Sequence, residues 1–141
     1  MATRHITGTT LAVIVGQASL AAGSFSAGVA FDASTDRMPY LRAELRGTLN
    51  TSATDSWVHI YILPLANDGA SYPPSPNASW AAYRAGSLPI KPGVAGEQIS
   101  IATFIPCPPG GKGQVYLQNG DGSVALSGFD LDLTPHGFED A

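Results

Sequence analysis

The chain has 141 residues and a formal net charge of −4 at pH 7, with 13% of its residues charged and 44% hydrophobic. This length is typical of one domain, the scattered basic residues argue against binding along a phosphate backbone, and no apolar run is long enough for a membrane helix. A surface so short of charge favours a protein that neighbours cover in an assembly, although a small secreted lectin-like domain would look similar.

The predicted elements are short β-strands separated by turn residues. In chain order they cover residues 9–15, 25–31, 40–49, 57–63, 97–105, 114–118 and 124–133, with a further extended segment, "SLPIKPG", at 87–93. Residues 78–86 are compatible with either a helical turn or a short strand, and "NGDG" at 119–122 is typical of a hairpin turn. The pattern predicts an all-β fold, an antiparallel, jelly-roll-like β-sandwich of about eight strands.

The whole chain, 1–141, is predicted to form one such domain, with an N-terminal arm at 1–10 and a C-terminal tail at 134–141. The apolar run "LAVIV" at 11–15 follows basic residues, as the core of a signal peptide would. It is shorter than the roughly 7 to 15 residues that such a core needs. We therefore interpret it as a strand and keep secretion as an alternative.

Alternation along two strands predicts which faces are buried. In "YLRAELRGTL" (40–49), the leucines and alanine share one face and the charged residues share the other, as in an antiparallel strand with one face in water. In "WVHIYIL" (57–63), Val58, Ile60 and Ile62 form an aliphatic face opposite a bulky aromatic one. This second strand is therefore predicted to be central in its sheet, aliphatic side inward, with its aromatic side covered as well.

The histidines do not predict a metal site. His5, His59 and His136 lie in the arm, a central strand and the tail, and metal ligands usually include at least two closely spaced residues. We expect His59 to be tucked against its surroundings or to lie in an interface. His136 follows a Thr-Pro pair and is expected to be exposed to solvent.

Other reactive side chains also lack partners in the sequence. Asp130 and Asp132 lie on one face of a strand about 6–7 Å apart, near the separation of paired glycosidase carboxylates, but a solvated outer face is the simpler interpretation. Cys107 is the only cysteine, which rules out an internal disulfide and favours a small buried apolar role. We predict no enzyme activity, cofactor or metal.

Five short motifs follow one another in the part of the chain after about Tyr40. They are Tyr61–Pro64, Asp68–Tyr72, Gly86–Pro89, Pro108–Gly110 and Asn119–Gly122. In this order they resemble a group of small virion proteins of tailed bacteriophages. The resemblance covers roughly two thirds of the chain and is loose over the first 39 residues. The join "PIKPGVAGEQ" after Leu88 is longer than is usual in the group.

The resemblance implies a capsid cement, or decoration, protein on the capsid surface of the virion, which binds and bridges neighbouring major capsid proteins. Other virion roles (head–tail adaptor, tail component or host-glycan binder) and a secreted lectin-like domain are the alternatives. A homo-dimer or homo-trimer at a capsid symmetry axis is expected, with no nucleic acid or membrane partner.

A protein that bridges capsid subunits needs rigid proline-rich loops, aromatic side chains that anchor the contact, and chain ends or strand edges that can add to a neighbouring sheet. The arm at 1–10 and the tail at 134–141 are candidates for the last of these. The candidate protein contacts are Trp57, Tyr72, Pro73, Pro74, Trp80, Tyr83, Phe104, Pro108 and Pro109.

Overall fold

The computed structural model describes residues 3–17, 20, 23–36, 38–49, 56–64, 83–90, 96–120 and 126–140. These ranges form nine strands: β1 (Thr3–Thr7), β2 (Leu11–Gln17), β3 (Val29–Asp32), β4 (Tyr40–Leu49), β5 (Ser56–Pro64), β6 (Arg84–Ile90), β7 (Gln98–Pro106), β8 (Lys112–Asn119) and β9 (Leu126–Asp140). A short 3-10 turn, Pro109–Gly111, precedes β8. No helix in the described ranges is long and apolar enough to cross a membrane. The predicted all-β fold class is confirmed.

The strands form two antiparallel sheets. In the first sheet the order is β1-β9-β4-β7, with β2 also paired to β9, and in the second it is β3-β8-β5-β6. Strand β4 has the predicted bounds, 40–49, and runs between β7 and β9 in unbroken register with β7. Its apolar residues Leu41, Ala43 and Leu45 are fully buried because they belong to the cluster that also contains side chains of the second sheet.

The two sheets face each other across one apolar cluster. Burying each large apolar side chain contributes about 1.5–3 kcal/mol, so this layer supplies most of the favourable free energy of folding. The first sheet contributes Val13, Ile14, Leu41, Ala43, Leu45, Ile105, Phe129, Leu131 and Leu133, and the second contributes Phe31, Val58, Ile60, Ile62, Leu88, Ile90, Val115 and Leu117. The inward faces predicted from alternation in β4 and β5 are confirmed.

Strand β5 is central, as predicted, and its aromatic side is covered near its C-terminal end. Tyr61 and Leu63 are buried in a second, smaller cluster on that side. Phe25 meets the Tyr61 ring edge to face, with the centroids 5.1 Å apart. The segment that contains Phe25 pairs regularly with β8 only from Val29 onward. At Ser26 the side-chain hydroxyl, instead of the backbone carbonyl, accepts the Leu117 N–H at 2.9 Å.

The two ends of the described chain are paired with each other, which corrects the predicted arm at 1–10 and tail at 134–141. Strand β1 runs antiparallel to the last part of β9, with Thr3 opposite Asp140 and Thr7 opposite His136. The sequence did not predict this pairing, because Pro135 suggests that the last strand ends before the residues with which β1 pairs. β1 also accounts for the ninth strand beyond the predicted eight.

Pro135 is accommodated where the neighbouring strand is interrupted. Its carbonyl accepts the Gly8 N–H at 2.8 Å, so its missing N–H donor faces the same neighbour, between the end of β1 and the start of β2. Gly8 leaves room there for the Asp36 side chain, whose carboxylate accepts the Thr9 N–H at 3.1 Å. Residues 8–10 therefore form a joint between two strands on the same edge of β9.

Candidate functional site

Five aromatic and histidine side chains from four strands meet on the outer face of the first sheet. We call them the aromatic surface: His5 of β1, Tyr40 of β4, Phe104 of β7, and His136 and Phe138 of β9. Phe138 is 67% exposed, Phe104 58% and Tyr40 46%. Side chains of this size and exposure are among the most apolar features that a folded protein presents to water.

Strand register explains why these side chains share one face. Tyr40 lies opposite His136, and His5 lies opposite Phe138, so three adjacent strands place their rings in neighbouring rows. His136 and Phe138 are two residues apart in β9 and therefore point to the same side of the sheet. Phe104 extends the group onto β7.

A pair of histidines forms the floor of this surface. His5 Nε2 and His136 Nδ1 are 2.5 Å apart, which places one ring as the N–H donor and the other as the acceptor. The two rings are stacked, with centroids 4.6 Å apart and planes inclined by 26°. His136 is only 8% exposed. Its burial, followed by the nearby His5 and Arg42, lowers its pKa from the ordinary value.

The remaining rings stand around this pair and enclose a shallow recess. Phe104 meets His136 edge to face with the centroids 5.2 Å apart, and Phe138 lies tilted 5.4 Å from His5. The recess has a volume of about 230 Å³ and is lined by the five residues of the aromatic surface. This volume is below the roughly 300–1,000 Å³ typical of small-molecule sites. The recess therefore suits a single side chain or one sugar-sized group.

Charged residues on the same outer face are paired with one another. Glu44 accepts from Arg42 Nη1 at 2.7 Å and lies 3.6 Å from Arg46 Nε, while Arg46 Nη2 donates to Asp132 at 2.7 Å. Asp130 accepts the backbone N–H of Gly16 at 2.7 Å. Both aspartates predicted on this face are thus occupied by structural partners, an arrangement that favours the solvated-face interpretation over a carboxylate pair.

The contact residues predicted from the sequence do not lie on one common surface. Phe104 belongs to the aromatic surface, whereas Trp57 and Tyr83, both partly exposed, lie on β5 and just before β6 in the second sheet. Pro108 is half-buried and Pro109 exposed, at the turn before β8. Tyr72, Pro73, Pro74 and Trp80 lie outside the described residues.

The prediction that His136 is exposed to solvent is wrong. The residue lies inside β9, between β1 and β4, and its ring is covered by His5 and Phe104. His59 is half-buried, and its Nδ1 lies 2.7 Å from the Ser87 hydroxyl, so it is tucked against β6. No group of three or more histidine, cysteine or acidic side chains suited to a metal ion occurs within the described ranges.

Cys107 lies at the start of the turn that carries Pro108, half-buried and packed against the core. Burial raises the pKa of its thiol, which favours the protonated form at neutral pH. Its backbone N–H donates to the Pro39 carbonyl at 2.9 Å, tying the turn to the segment before β4.

Sequence reasoning missed four of the five residues of the aromatic surface. Tyr40 could have been found, because it precedes Arg42 by two residues and so belongs to the outer face of β4. His5, His136 and Phe138 gave no usable pattern, because their proximity depends on pairing between residues 131 positions apart.

Neither a scan of protein-family models nor a search of curated proteins finds a match for the chain. Its function is therefore inferred from the fold and from the aromatic surface.

Proposed function

We propose that this protein is a capsid cement protein of a tailed bacteriophage, which binds neighbouring major capsid proteins on the outside of the head and bridges them. The observation that carries the proposal is the aromatic surface, with three exposed rings clustered on one sheet of a chain that is 13% charged. Monomeric proteins rarely leave such groups together in water. Buried aromatic anchors supply most of the binding energy at protein interfaces.

The strand order supports a jelly roll, which is one specific kind of fold with two antiparallel sheets. From β2 onward the chain passes between the sheets at nearly every connection, and the orders β2-β9-β4-β7 and β3-β8-β5-β6 are compatible with two interlocked Greek keys. Jelly rolls are common in viral capsid and lectin domains. The fold supports the proposed function only through its similarity to such domains, and fold alone does not decide function.

A bridging protein needs more than one contact surface. In addition to the aromatic surface on the first sheet, the second sheet carries Trp57 and Tyr83, which are 45% and 38% exposed. Surfaces on opposite sheets of a sandwich can contact two different subunits at once. We infer that the aromatic surface takes an apolar side chain of one major capsid protein, and that the second sheet or the turn at Pro109 contacts the next one.

Self-association at a capsid symmetry axis is part of the proposal. A homo-dimer or homo-trimer places copies of the same surface around the axis, so each capsid subunit meets an identical contact. Light scattering coupled to size-exclusion chromatography tests this point, and a monomer at every accessible concentration would exclude it for the free protein.

The decisive experiment is binding to empty heads assembled from the major capsid protein that is encoded with this chain. We expect the wild-type protein to co-sediment with the heads at saturating stoichiometry. The double variant F104S/F138S should bind at least about 30-fold more weakly, since a buried aromatic anchor contributes about 2 kcal/mol or more. Val15 provides the matched control, because it is 73% exposed on β2 of the same sheet and V15S should bind like the wild type.

The proposal fails if wild-type protein does not bind the heads, or if F104S/F138S binds as tightly as V15S. Because all three replaced side chains are exposed, we expect the variants to keep wild-type circular dichroism spectra and unfolding midpoints. Copy number in purified virions separates the virion roles. Hundreds of copies favour cement, whereas about six or twelve favour a head–tail adaptor at one vertex.

A host-glycan-binding virion protein, or a secreted lectin-like domain, is the second candidate. The recess favours it because aromatic rings offer flat apolar faces on which the C–H groups of a sugar ring can pack, and lectin domains also use the jelly-roll fold. Retention of the wild type on immobilised host polysaccharide, loss of retention in F104S/F138S and no binding to heads would replace the first proposal with this one.

A further inference from the structure

We propose that the His5–His136 pair is a pH-sensitive latch, which holds β1 on β9 near neutral pH and releases it in acid. The opening of β1 does not depend on the proposed function. Its consequence, pH-dependent binding by the aromatic surface, rests on that function.

The contact between the two rings requires at least one unprotonated nitrogen. A neutral imidazole has one N–H and one lone pair, so His5 Nε2 and His136 Nδ1 can lie 2.5 Å apart only when one donates to the other. One extra proton on the pair is compatible with this bond, because the charged ring can donate to the neutral one. A second proton leaves N–H groups facing each other and two positive rings with centroids 4.6 Å apart.

The surroundings of the pair oppose the gain of positive charge. From β4, Arg42 places a positive charge near His136, although Glu44 pairs with it, and Tyr40 lines the same recess. From β7, Phe104 covers His136 with an uncharged ring. Burial, followed by His5 and Arg42, therefore favours neutral His136 while β1 is in place.

The sign of the pH effect follows from this lowered pKa. The His136 pKa is lowered in the folded chain and rises towards its ordinary value of about 6.5 when β1 and His5 move away from the ring. The open state therefore binds more protons than the closed state below about pH 6.5. Closure is fully stable above that pH and weakens as the pH falls towards the lowered pKa of the folded state.

Protonation of the histidine pair is expected to separate β1 from β9, because β1 is weakly held. Strand β1 has five residues, and among the described strands it pairs with β9 alone, at the edge of the first sheet. None of its described side chains is buried, whereas β2 is anchored in the core through Val13 and Ile14. A segment with so few buried apolar contacts opens at little cost, and residues 8–10 form the joint at which it would swing away.

Opening changes the proposed contact surface in two ways. His5 leaves the recess, so one of the five lining residues is lost. The edge of β9 from His136 to Asp140 is also uncovered, and an open strand edge can accept a strand from a neighbouring copy or partner. Acid should therefore weaken binding through the aromatic surface and favour strand exchange.

Amide hydrogen exchange followed by NMR tests the latch in the free full-length protein. Between about pH 7.5 and about pH 5, after correction for the intrinsic exchange rate, we expect protection of the β1 amides to fall by up to about tenfold per pH unit for each proton taken up on opening. The β4 amides at Ala43 and Leu45 should stay far more protected than the β1 amides at every pH, because they exchange only when the sheet itself unfolds.

Three variants assign the effect to the pair. H5Q and H136N place an amide nitrogen near the position of the original Nε2 or Nδ1, and neither new side chain titrates. H136N removes the ring whose pKa is lowered, so the pH dependence of β1 protection should disappear. H5Q removes the second ring, and its amide oxygen can accept from a protonated His136, so the pH dependence should be smaller than in the wild type. H59Q replaces the histidine tucked against Ser87 in the second sheet and should retain the wild-type pH dependence. Because His5 is exposed, H5Q is expected to fold even if H136N does not.

The latch is excluded if wild-type β1 protection stays constant over this pH range, or if H5Q keeps the wild-type decrease. Head binding measured at both ends of the range separates the two proposals. Opening of β1 without head binding at any pH would leave the latch intact and overturn the cement function. Opening of β1 with equal head binding at both pH values would overturn only the regulation of the aromatic surface.

Discussion

Two adjacent glycines in the turn before β8 offer a matched test of how this turn is held against the segment that follows β3. Gly110 and Gly111 have φ angles of +77° and +75°, a region that favours glycine. A Cβ added at Gly110 meets no atom within 4 Å, whereas one added at Gly111 would lie 2.7 Å from the backbone N and Cα of Ser34. Replacing each by alanine therefore separates backbone strain from steric overlap.

The structure gives different magnitudes for the two substitutions. Left-handed backbone costs an alanine about 1–2 kcal/mol, partly offset by about 0.4–1 kcal/mol from the less flexible unfolded chain. G110A should therefore lower the free energy of unfolding by about 1 kcal/mol. In G111A the overlap must also displace the backbone at Ser34, which weakens the hydrogen bond from the Ala33 N–H to the Gly111 carbonyl, now 2.7 Å. Its total loss should reach about 2–4 kcal/mol.

Equilibrium unfolding in urea, followed by tryptophan fluorescence and circular dichroism, measures both variants against the wild type. Equal dependence of the unfolding free energy on urea concentration in all three proteins would show that the comparison concerns stability alone. Equal losses in G110A and G111A would refute the close approach of the turn to Ser34. A larger loss in G110A would reverse the assignment of the crowded position.

Three further predictions concern single side chains. L45A should lower the unfolding free energy by about 2–5 kcal/mol in urea denaturation, because Leu45 is fully buried between the sheets; a loss below about 1 kcal/mol would contradict that burial. Native Cys107 should react with iodoacetamide near pH 8 more slowly than in urea-unfolded protein, because burial raises its pKa, and equal rates would refute this. The Asp32 pKa is lowered from 3.8, first by the Ser34 hydroxyl and then by the Ser34 N–H, so S34A should raise it in an NMR titration. Since the folded pKa is lowered, Asp32 stabilises the fold above its ordinary pKa, and this contribution disappears as the pH falls through the folded pKa. An unchanged pKa in S34A would exclude the hydroxyl as the main cause.

Local patterns were sufficient to predict the fold class and several strand faces. The bounds of β4, the inward side of β5 and the central position of β5 all follow from alternation within segments of at most 10 residues, because successive side chains in a strand point to opposite sides. The predicted strand at 25–31 began too early, since Ser26 supplies a side-chain acceptor that no periodicity indicates. The part of the predicted contact set from Tyr72 to Trp80 lies outside the described residues.

The sequence by itself determined that this protein is a two-faced β structure with an apolar inner layer, because that information lies in neighbouring residues. Only the tertiary structure decided that the chain ends pair, that His5 meets His136, and that Tyr40, Phe104 and Phe138 share one exposed surface. These contacts join residues far apart in the chain, and their geometry depends on strand order and register. Strand order and register are properties of the assembled sheets, which no short segment encodes.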